Sequence, residues 1–301
     1  MFWKNDWLQY SYDGVNNLKI KNTPSSVWNL SIKKTIDRPI KSYQEELILN
    51  AQAVREHFSE PFDLMLSGGV DSEVVLRSFI LAKIPINVFT FKFKEDINKH
   101  DLLEAFKTCD IYGVKPKVIE FDLKKFLEQD AETMWSKAHF AGAGYMINMK
   151  LIEHLDNIPI IGDGINADNF DIQKNNCDIV IYEKHFAGAV YGNAIGRPII
   201  SSWYDFSPEL TASFLDLRLH KWKKHKLMGP PFTNDKLHEL KYINFNKLLG
   251  TRIRDKFFGW EMSLTKRVPH KYVQDFNSNF VKNRVTLKNY TQNYDVFRSL
   301  L

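Results

Sequence analysis

From residue 61 onward the chain alternates short apolar segments with longer stretches of helical periodicity, and this alternation limits its fold more than anything else. PFDLML (61–66), INVFTF (86–91), KVIEFDL (117–123) and IPII (158–161) have the length and residue types of buried strands. Between them, residues 71–83, 99–112, 124–137 and 144–155 place apolar residues at three- and four-residue spacing, which predicts helices. Strands that are apolar throughout have both faces covered, and parallel neighbours need long crossovers to join them. The pattern therefore predicts an α/β fold with a doubly wound, mostly parallel sheet. DIVIYE (178–183) is a candidate for one more strand. Residues 42–57 predict a helix leading into the first strand. Its stripe is Tyr43, Leu47, Ile48, Ala51, Val54 and Phe58, and Ser42 with Glu45 forms a capping-box pattern.

The flanks differ from this middle. Residues 1–41 mix aromatics with turn formers (Tyr12-Asp13-Gly14, Val15-Asn16-Asn17, Thr23-Pro24) and read as a short β-rich arm. The Trp and Phe side chains there read as core rather than as a base-stacking platform. Residues 206–301 open on Ser207-Pro208-Glu209, a helix start, and read as a basic helical region broken at Gly229-Pro230-Pro231. The expected division is an arm at 1–41, a sheet domain at 42–205 and a helical region at 206–301. The net charge of +5 suits anionic ligands but is too small to mark nucleic-acid binding. Two cysteines, Cys109 and Cys177, with no CxxC exclude a disulfide framework and a cysteine-rich zinc site. There is no signal-peptide pattern and no run of about 18 apolar residues, so the expected location is the cytoplasm and no membrane partner is expected.

At the end of the first strand, LMLSGGVDSEVVLRSF (64–79) passes from apolar run to glycine turn to helix. In open α/β sheets ligands bind beyond the carboxyl ends of the strands, where a starting helix offers unpaired N–H groups and a positive dipole end. Gly68 and Gly69 let an oxyanion approach the main chain, and Ser67 and Ser72 add hydroxyl donors. Asp71 would repel phosphates unless a cation lies between, and Mg²⁺ is the usual bridge. Taken alone, Asp71 reads equally well as a charge in the first helical turn. The turn is neither a Walker loop, which needs G-x-x-x-x-G-K-[ST], nor the dinucleotide fingerprint G-x-G-x-x-G.

SGGVDS resembles the pyrophosphate-binding PP-loop of the N-type ATP pyrophosphatases, a superfamily that includes asparagine, GMP and NAD synthetases and tRNA-modifying enzymes. The resemblance implies an adenine nucleotide alpha hydrolase-like fold, with ATP bound by Leu66, Ser67, Gly68, Gly69, Asp71 and Ser72. Further stretches over roughly 46–262 are similar to the synthetase domain of asparagine synthetase. INVFTFKF resembles its second strand, which implies an adenine pocket at Thr90, Phe91 and Phe93. IPIIGDGINADNF resembles its strand followed by G-E/D-G-x-D-E, matching Gly162, Asp163, Gly164 and Asp168. Two extra residues precede Asp168, and Asn169 stands where the family has glutamate. ASFLDLRL and RIRDKFFGW resemble its P-F-L-D and R-x-K-x-x-F segments, the latter placing Arg254 and Lys256. On this resemblance Asp71 and Asp168 hold Mg²⁺, Gly162 contacts ATP, Asp163 meets the amine or acts as a base, and Lys256 stabilises charge on the α-phosphate.

The activity so implied is ATP-dependent adenylation of a small-molecule carboxylate with pyrophosphate release, then amide formation. Glutamine-dependent asparagine synthetases start with cysteine after the initiator methionine. Here residue 2 is Phe, and about sixty residues precede the loop. The amine is therefore expected as free ammonia, as part of a larger substrate, or from a partner protein. Two other readings stay open. One is a PP-loop enzyme modifying a nucleic acid or nucleobase, of the tRNA thiolase or deazaguanine type, for which a reactive cysteine is the discriminating feature. The other is a non-catalytic nucleotide-binding module, motivated by Asn169. His139, in HFAGAGY, reads as a capping or core residue rather than a catalyst, and His220 and His225 lack metal-ligand spacing.

Overall fold

The structure is a computed structural model, and it describes residues 7–16, 23, 26–33, 36–139, 143–162, 166–171, 176–213 and 284–286. Residues 166–171, 176–180 and 284–286 are described by their backbone.

The arm forms an antiparallel sheet of β1 (Leu8–Tyr12), β2 (Val15–Asn16) and β3 (Trp28–Ile32), in the order β2-β1-β3. Asp13 (φ 49°) and Gly14 (φ 75°) join β1 to β2. Two residues at positive φ are what a tight hairpin turn requires, and Asp-Gly supplies them at low cost. Leu8, Tyr10 and Tyr12 point inward from β1, and Trp7 and Trp28 are buried beside them, as core. Helix α1 (Tyr43–His57) follows with the predicted capping box: Ser42 Oγ accepts from Glu45 N–H, and Ser42 N–H donates to the Glu45 carboxylate at 3.0 Å.

The central sheet holds β4 (Phe62–Met65), β5 (Asn87–Phe93), β6 (Lys117–Phe121) and β7 (Ile158–Ile160), all parallel, in the order β6-β5-β4-β7. A parallel bridge from Ile160 to Ile200 extends it beyond β7. Crossovers are α2 (Val70–Leu81), α3 (Lys99–Tyr112), and a longer path from β6 to β7. That path runs through α4 (Leu123–Lys125), a π-helical turn at Phe126–Asp130, α5 (Ala131–Ala138) and α6 (Ala143–Ile152). The register explains the unbroken apolar runs. Leu64, paired with Val88, faces one core with Val74, Val75, Phe79, Ala105 and Cys109. Met65, paired with Phe89, faces a second core with Phe91, Phe121, Met134, Met146 and Ile147. With both faces covered, the doubly wound α/β expectation holds. The polar residue inside β4, Asp63, is fully buried and accepts from Asn87 Nδ2 and from Asn157 N–H and Nδ2, all within 2.9 Å, so it ties β4 to β5 and to the entrance of β7.

Two segments depart from expectation. β8 (Asn166–Asp171) and β9 (Asn176–Tyr182) pair antiparallel, outside the parallel sheet. DIVIYE is thus a strand, in a second, antiparallel sheet of order β10-β9-β8. Its edge strand β10 (Arg284–Thr286) is extended chain within the region read as helical. Helix α7 (Ala187–Ala194), a 3-10 turn at Trp203–Asp205 and a helical start at 208–213 complete the described chain. Among the described residues no helix is long and apolar enough to cross a membrane.

Candidate functional site

Counted along the chain, the four parallel strands lie in the order third, second, first, fourth. The crossovers from the first strand, β4, therefore leave in the opposite direction from the path that arrives at β7. Such a switch point opens a crevice at the carboxyl ends of the two strands. The glycine turn follows β4, and Gly162 follows β7, so the pairing of these two strands brings the two stretches side by side.

The turn is stapled from within. Leu66 N–H continues the sheet by donating to the Phe89 carbonyl at 2.8 Å. Ser72 Oγ, nearly buried, donates to the Gly69 carbonyl at 3.0 Å, accepts from Ser67 N–H at 3.3 Å, and lies 3.2 Å from Ser67 Oγ. Gly69 N–H donates to Ser67 Oγ at 3.3 Å. Helix α2 begins at Val70 with Gly69 as N-cap and no side-chain cap, so Asp71 is the second helical residue. Gly68 has φ +83°, and a Cβ there would stand 2.1 Å from the Asp101 carbonyl oxygen of α3. Only glycine allows α3 to approach that closely. Gly162 is constrained likewise: a Cβ would lie 2.9 Å from Ser72 Cα and 3.0 Å from Ser72 N. The chain leaving β7 therefore rests on the first turn of α2.

Beside the turn lies a small cleft, open to solvent. Leu66 and Ser67 form one wall, Thr90, Phe91 and Phe93 of β5 another, and Asn148 and Leu151 of α6 a third. Thr90, Phe91 and Phe93 are largely buried and present an apolar floor with one hydroxyl. Five residues expected to contact ATP thus share one cavity: Leu66, Ser67, Thr90, Phe91 and Phe93. Gly68, Gly69, Asp71 and Ser72 occupy the adjoining turn, and Gly162 abuts it.

Other expected residues fall elsewhere. Asp168 is on β8, opposite Asp178 in register, rather than in a turn following β7. Asp163, Arg254 and Lys256 lie outside the described residues, as do His220 and His225. His139 ends α5 with φ 45° and sits edge-on to the Trp135 ring at 5.1 Å, a helix-end role. Cys109 is 1 % exposed in the core beneath α3, and burial, with Asp110 adding to it, pushes its thiol up to about 11. A thiol held so far from its thiolate is not an activated nucleophile. Cys177 is on β9.

Two residues that the sequence reading missed support the site. Asn98 is the N-cap residue of α3, but its side chain makes no cap hydrogen bond. Its Nδ2 donates to the Phe91 carbonyl at 2.7 Å and its Oδ1 accepts from Phe93 N–H at 2.9 Å, fixing the end of β5 at the cleft. Tyr204 donates its hydroxyl to the Asp71 carbonyl at 2.7 Å. An asparagine before a helix is an ordinary start signal, and nothing near Tyr204 marks it.

The turn fits a polyphosphate with its Mg²⁺. Bare backbone at Gly68 and Gly69, uncapped amides of α2 and two hydroxyls suit phosphate oxygens, and one carboxylate, Asp71, stands beside them. Among the described residues no group of three His, Cys, Asp or Glu side chains converges on a point.

No protein-family model matches the chain, and no curated protein matches it. Among solved structures it is similar to an NMN synthetase from Francisella tularensis (15% identity, TM-score 0.35, covering 81% of this chain and 96% of that one). It is similar to an NH3-dependent NAD synthetase from Campylobacter jejuni subsp. jejuni NCTC 11168 (20%, 0.33, 77% and 94%). It is also similar to the U34-tRNA thiolase NcsA from Methanococcus maripaludis, which carries a [4Fe-4S] cluster (16%, 0.31, 79% and 78%). Likenesses of this size specify no reaction.

Proposed function

We propose that the chain is an ATP-dependent adenylating ligase resembling the synthetase domain of asparagine synthetase, with the phosphates of ATP·Mg²⁺ at Ser67–Ser72 and the adenosine in the adjoining cleft. The observation that carries this reading is the contact between Gly162 and Ser72 at the switch point, beside a cavity shared by Ser67 and Thr90. Main-chain amides at the start of α2, with Ser67 and Ser72, hold the β- and γ-phosphates as the leaving pyrophosphate. Asp71 and, on the family resemblance, Asp168 would hold Mg²⁺, which when bound would supply positive charge beside the leaving pyrophosphate. The substrate carboxylate oxygen attacks the α-phosphorus, the bond from that phosphorus to the bridging oxygen breaks, and acyl-AMP forms. Ammonia or an amine then attacks the acyl carbon and AMP leaves. In the same reading Asp163 takes the surplus amine proton, and Lys256 offsets charge on the α-phosphate.

The test is exchange of labelled pyrophosphate into ATP across a panel of carboxylates. Carboxylate-dependent exchange, lost in Asp71→Ala, supports the reading. Tight ATP binding with no exchange for any carboxylate refutes it in favour of a nucleotide-binding module. A thiolase reading has one observation against it, the burial of Cys109 in the core, which pushes its thiol up and away from the thiolate.

A further inference from the structure

Tyr204 sits in the 3-10 turn Trp203–Asp205, far from the phosphate turn in sequence and fully buried. Its hydroxyl reaches the carbonyl of Asp71 at 2.7 Å. The turn carrying it is anchored from several sides. The Trp203 carbonyl accepts from Asn50 Nδ2 of α1 at 3.0 Å, and the Tyr204 carbonyl accepts from Thr211 Oγ1 at 3.2 Å. The Asp205 carbonyl accepts from Trp7 Nε1 of the arm at 2.7 Å, and the Asp205 carboxylate meets His185 Nδ1 at 2.7 Å. Ser202, at φ 58°, donates to the His185 carbonyl. A non-glycine residue at positive φ persists only where its surroundings over-determine it. These bonds supply that constraint.

We propose that Tyr204 is a positioning residue: it fixes the first turn of α2, and through it the Asp71 carboxylate, against a rigid buried support. The inference rests on the proposed function, since it takes this turn as the phosphate site. A carbonyl in a first helical turn has a second lone pair, so it accepts the phenol without giving up its place in the helix. Because the Asp71 carbonyl and carboxylate belong to one residue, a shift of that carbonyl moves the carboxylate. Amides and hydroxyls tolerate such a shift in binding phosphate oxygens. Mg²⁺ demands near-octahedral geometry and does not. Tyr204 therefore acts on the metal-dependent part of ATP binding.

The experiment is calorimetric titration of the full chain with ATP, once with Mg²⁺ and once with EDTA. Tyr204→Phe keeps the ring and removes the hydroxyl. It is expected to reduce the gain in affinity conferred by Mg²⁺ by about fivefold, the equivalent of one net hydrogen bond, while metal-free binding changes by less than about twofold. Equal weakening under both conditions, or none, overturns the proposal, because a merely structural tyrosine has no reason to distinguish them. If Tyr204→Phe does not fold, Thr211→Val, which loosens the same turn from behind, is expected to show the same asymmetry at smaller size, and symmetry there overturns it too. Asp71→Asn separates the two levels. Loss of the Mg²⁺ gain there, with Tyr204→Phe unchanged, removes the positioning role and leaves the proposed function standing. A wild-type chain with no Mg²⁺-dependent ATP binding removes both.

Discussion

Three glycines allow the geometry of the phosphate turn to be tested by subtraction. Gly68→Ala places a methyl at φ +83° and 2.1 Å from the Asp101 carbonyl oxygen. Gly113→Ala, at the end of α3, places one at φ +63° with nothing within 4 Å. Gly69→Ala has ordinary backbone angles (φ −74°, ψ 156°), and its methyl would meet only Ser67 Oγ at 3.3 Å. Positive φ costs an alanine about 1–2 kcal/mol, and the stiffer unfolded chain returns about 0.4–1 kcal/mol. Gly113→Ala should therefore lose about 1 kcal/mol. Gly68→Ala adds a clash with backbone that must open by about an ångström, and overpacking of that kind costs about 1–3 kcal/mol more. Its expected loss is about 2–4 kcal/mol. At Gly69 the weaker capping by alanine and the entropic gain nearly cancel, for a change within about 1 kcal/mol. Chemical denaturation of the four proteins measures these differences, and ATP titration accompanies it. Gly69→Ala should bind ATP at least about tenfold more weakly despite its near-normal stability, because its methyl shields amides meant for phosphate. Equal losses for Gly68→Ala and Gly113→Ala would refute the close approach of α3 to the turn. Unchanged ATP affinity in Gly69→Ala would refute the phosphate assignment.

Other outcomes follow from the same structure. Gly162→Ala, whose methyl would stand 2.9 Å from Ser72 Cα, should lower stability by about 1–3 kcal/mol and weaken ATP binding, measured by the same two assays. Cys109→Ala should cost stability through the small cavity it leaves, but preserve pyrophosphate exchange; loss of exchange at retained fold would revive the thiol-dependent reading. The Cys109 thiol also has a pH signature. Its folded value of about 11 lies above its ordinary 9.0, so the unfolded chain loses the proton first, and this group's stabilisation is present below pH 9 and lost as pH rises toward 11. Alkylation of native protein in a Cys177→Ser background should accordingly stay slow at pH 9 and accelerate on denaturation. At the start of α1, Ser42→Ala should cost about 1 kcal/mol by thermal or chemical denaturation. The Ser42 hydroxyl and N–H hold the Glu45 carboxyl below its ordinary value, so this cap's contribution is present above the usual carboxylate range and lost as pH falls through the depressed one.

How much of this was legible depended on the range of the interaction. α3 was readable to the residue at Lys99–Tyr112, and the α1 cap from Ser42 and Glu45, because both are set by contacts within one or two turns. The inner strands β4 and β5 and their neighbour β7 were readable because burial makes their residues apolar almost throughout, whereas the edge strand β6 is mostly exposed. The turn after β4 was legible for a related reason: chemistry that needs bare backbone at a helix start writes itself as consecutive glycines. β8 was not legible. Asn166-Ala167-Asp168-Asn169 has the composition of a turn, and it is extended only because β9 pairs with it across the chain.

The supports of the site were hidden for a deeper reason. Asn98 carries the local signal of a helix cap, and its amide is diverted to Phe91 and Phe93 only because α3 starts within reach of the end of β5. Gly162 is singled out by resemblance as an ATP contact, but its packing role appears only when β7 is placed beside β4, where its missing side chain lets the two strand ends meet. Tyr204 has no local signal, since its partner is a main-chain oxygen that every residue owns. Residues that touch a ligand are selected for side-chain chemistry and so leave a trace in composition. Residues that hold backbone in place are selected for position alone, and position exists only once the sheet order does. The arrangement that makes the turn usable, with Asn98 fixing β5, Gly162 admitting β7 and Tyr204 steadying α2, therefore belongs to the fold rather than to the motif. A chain bearing SGGVDS after a strand but lacking a hydroxyl donor at the Asp71 carbonyl should bind nucleotide with less dependence on Mg²⁺ than this one.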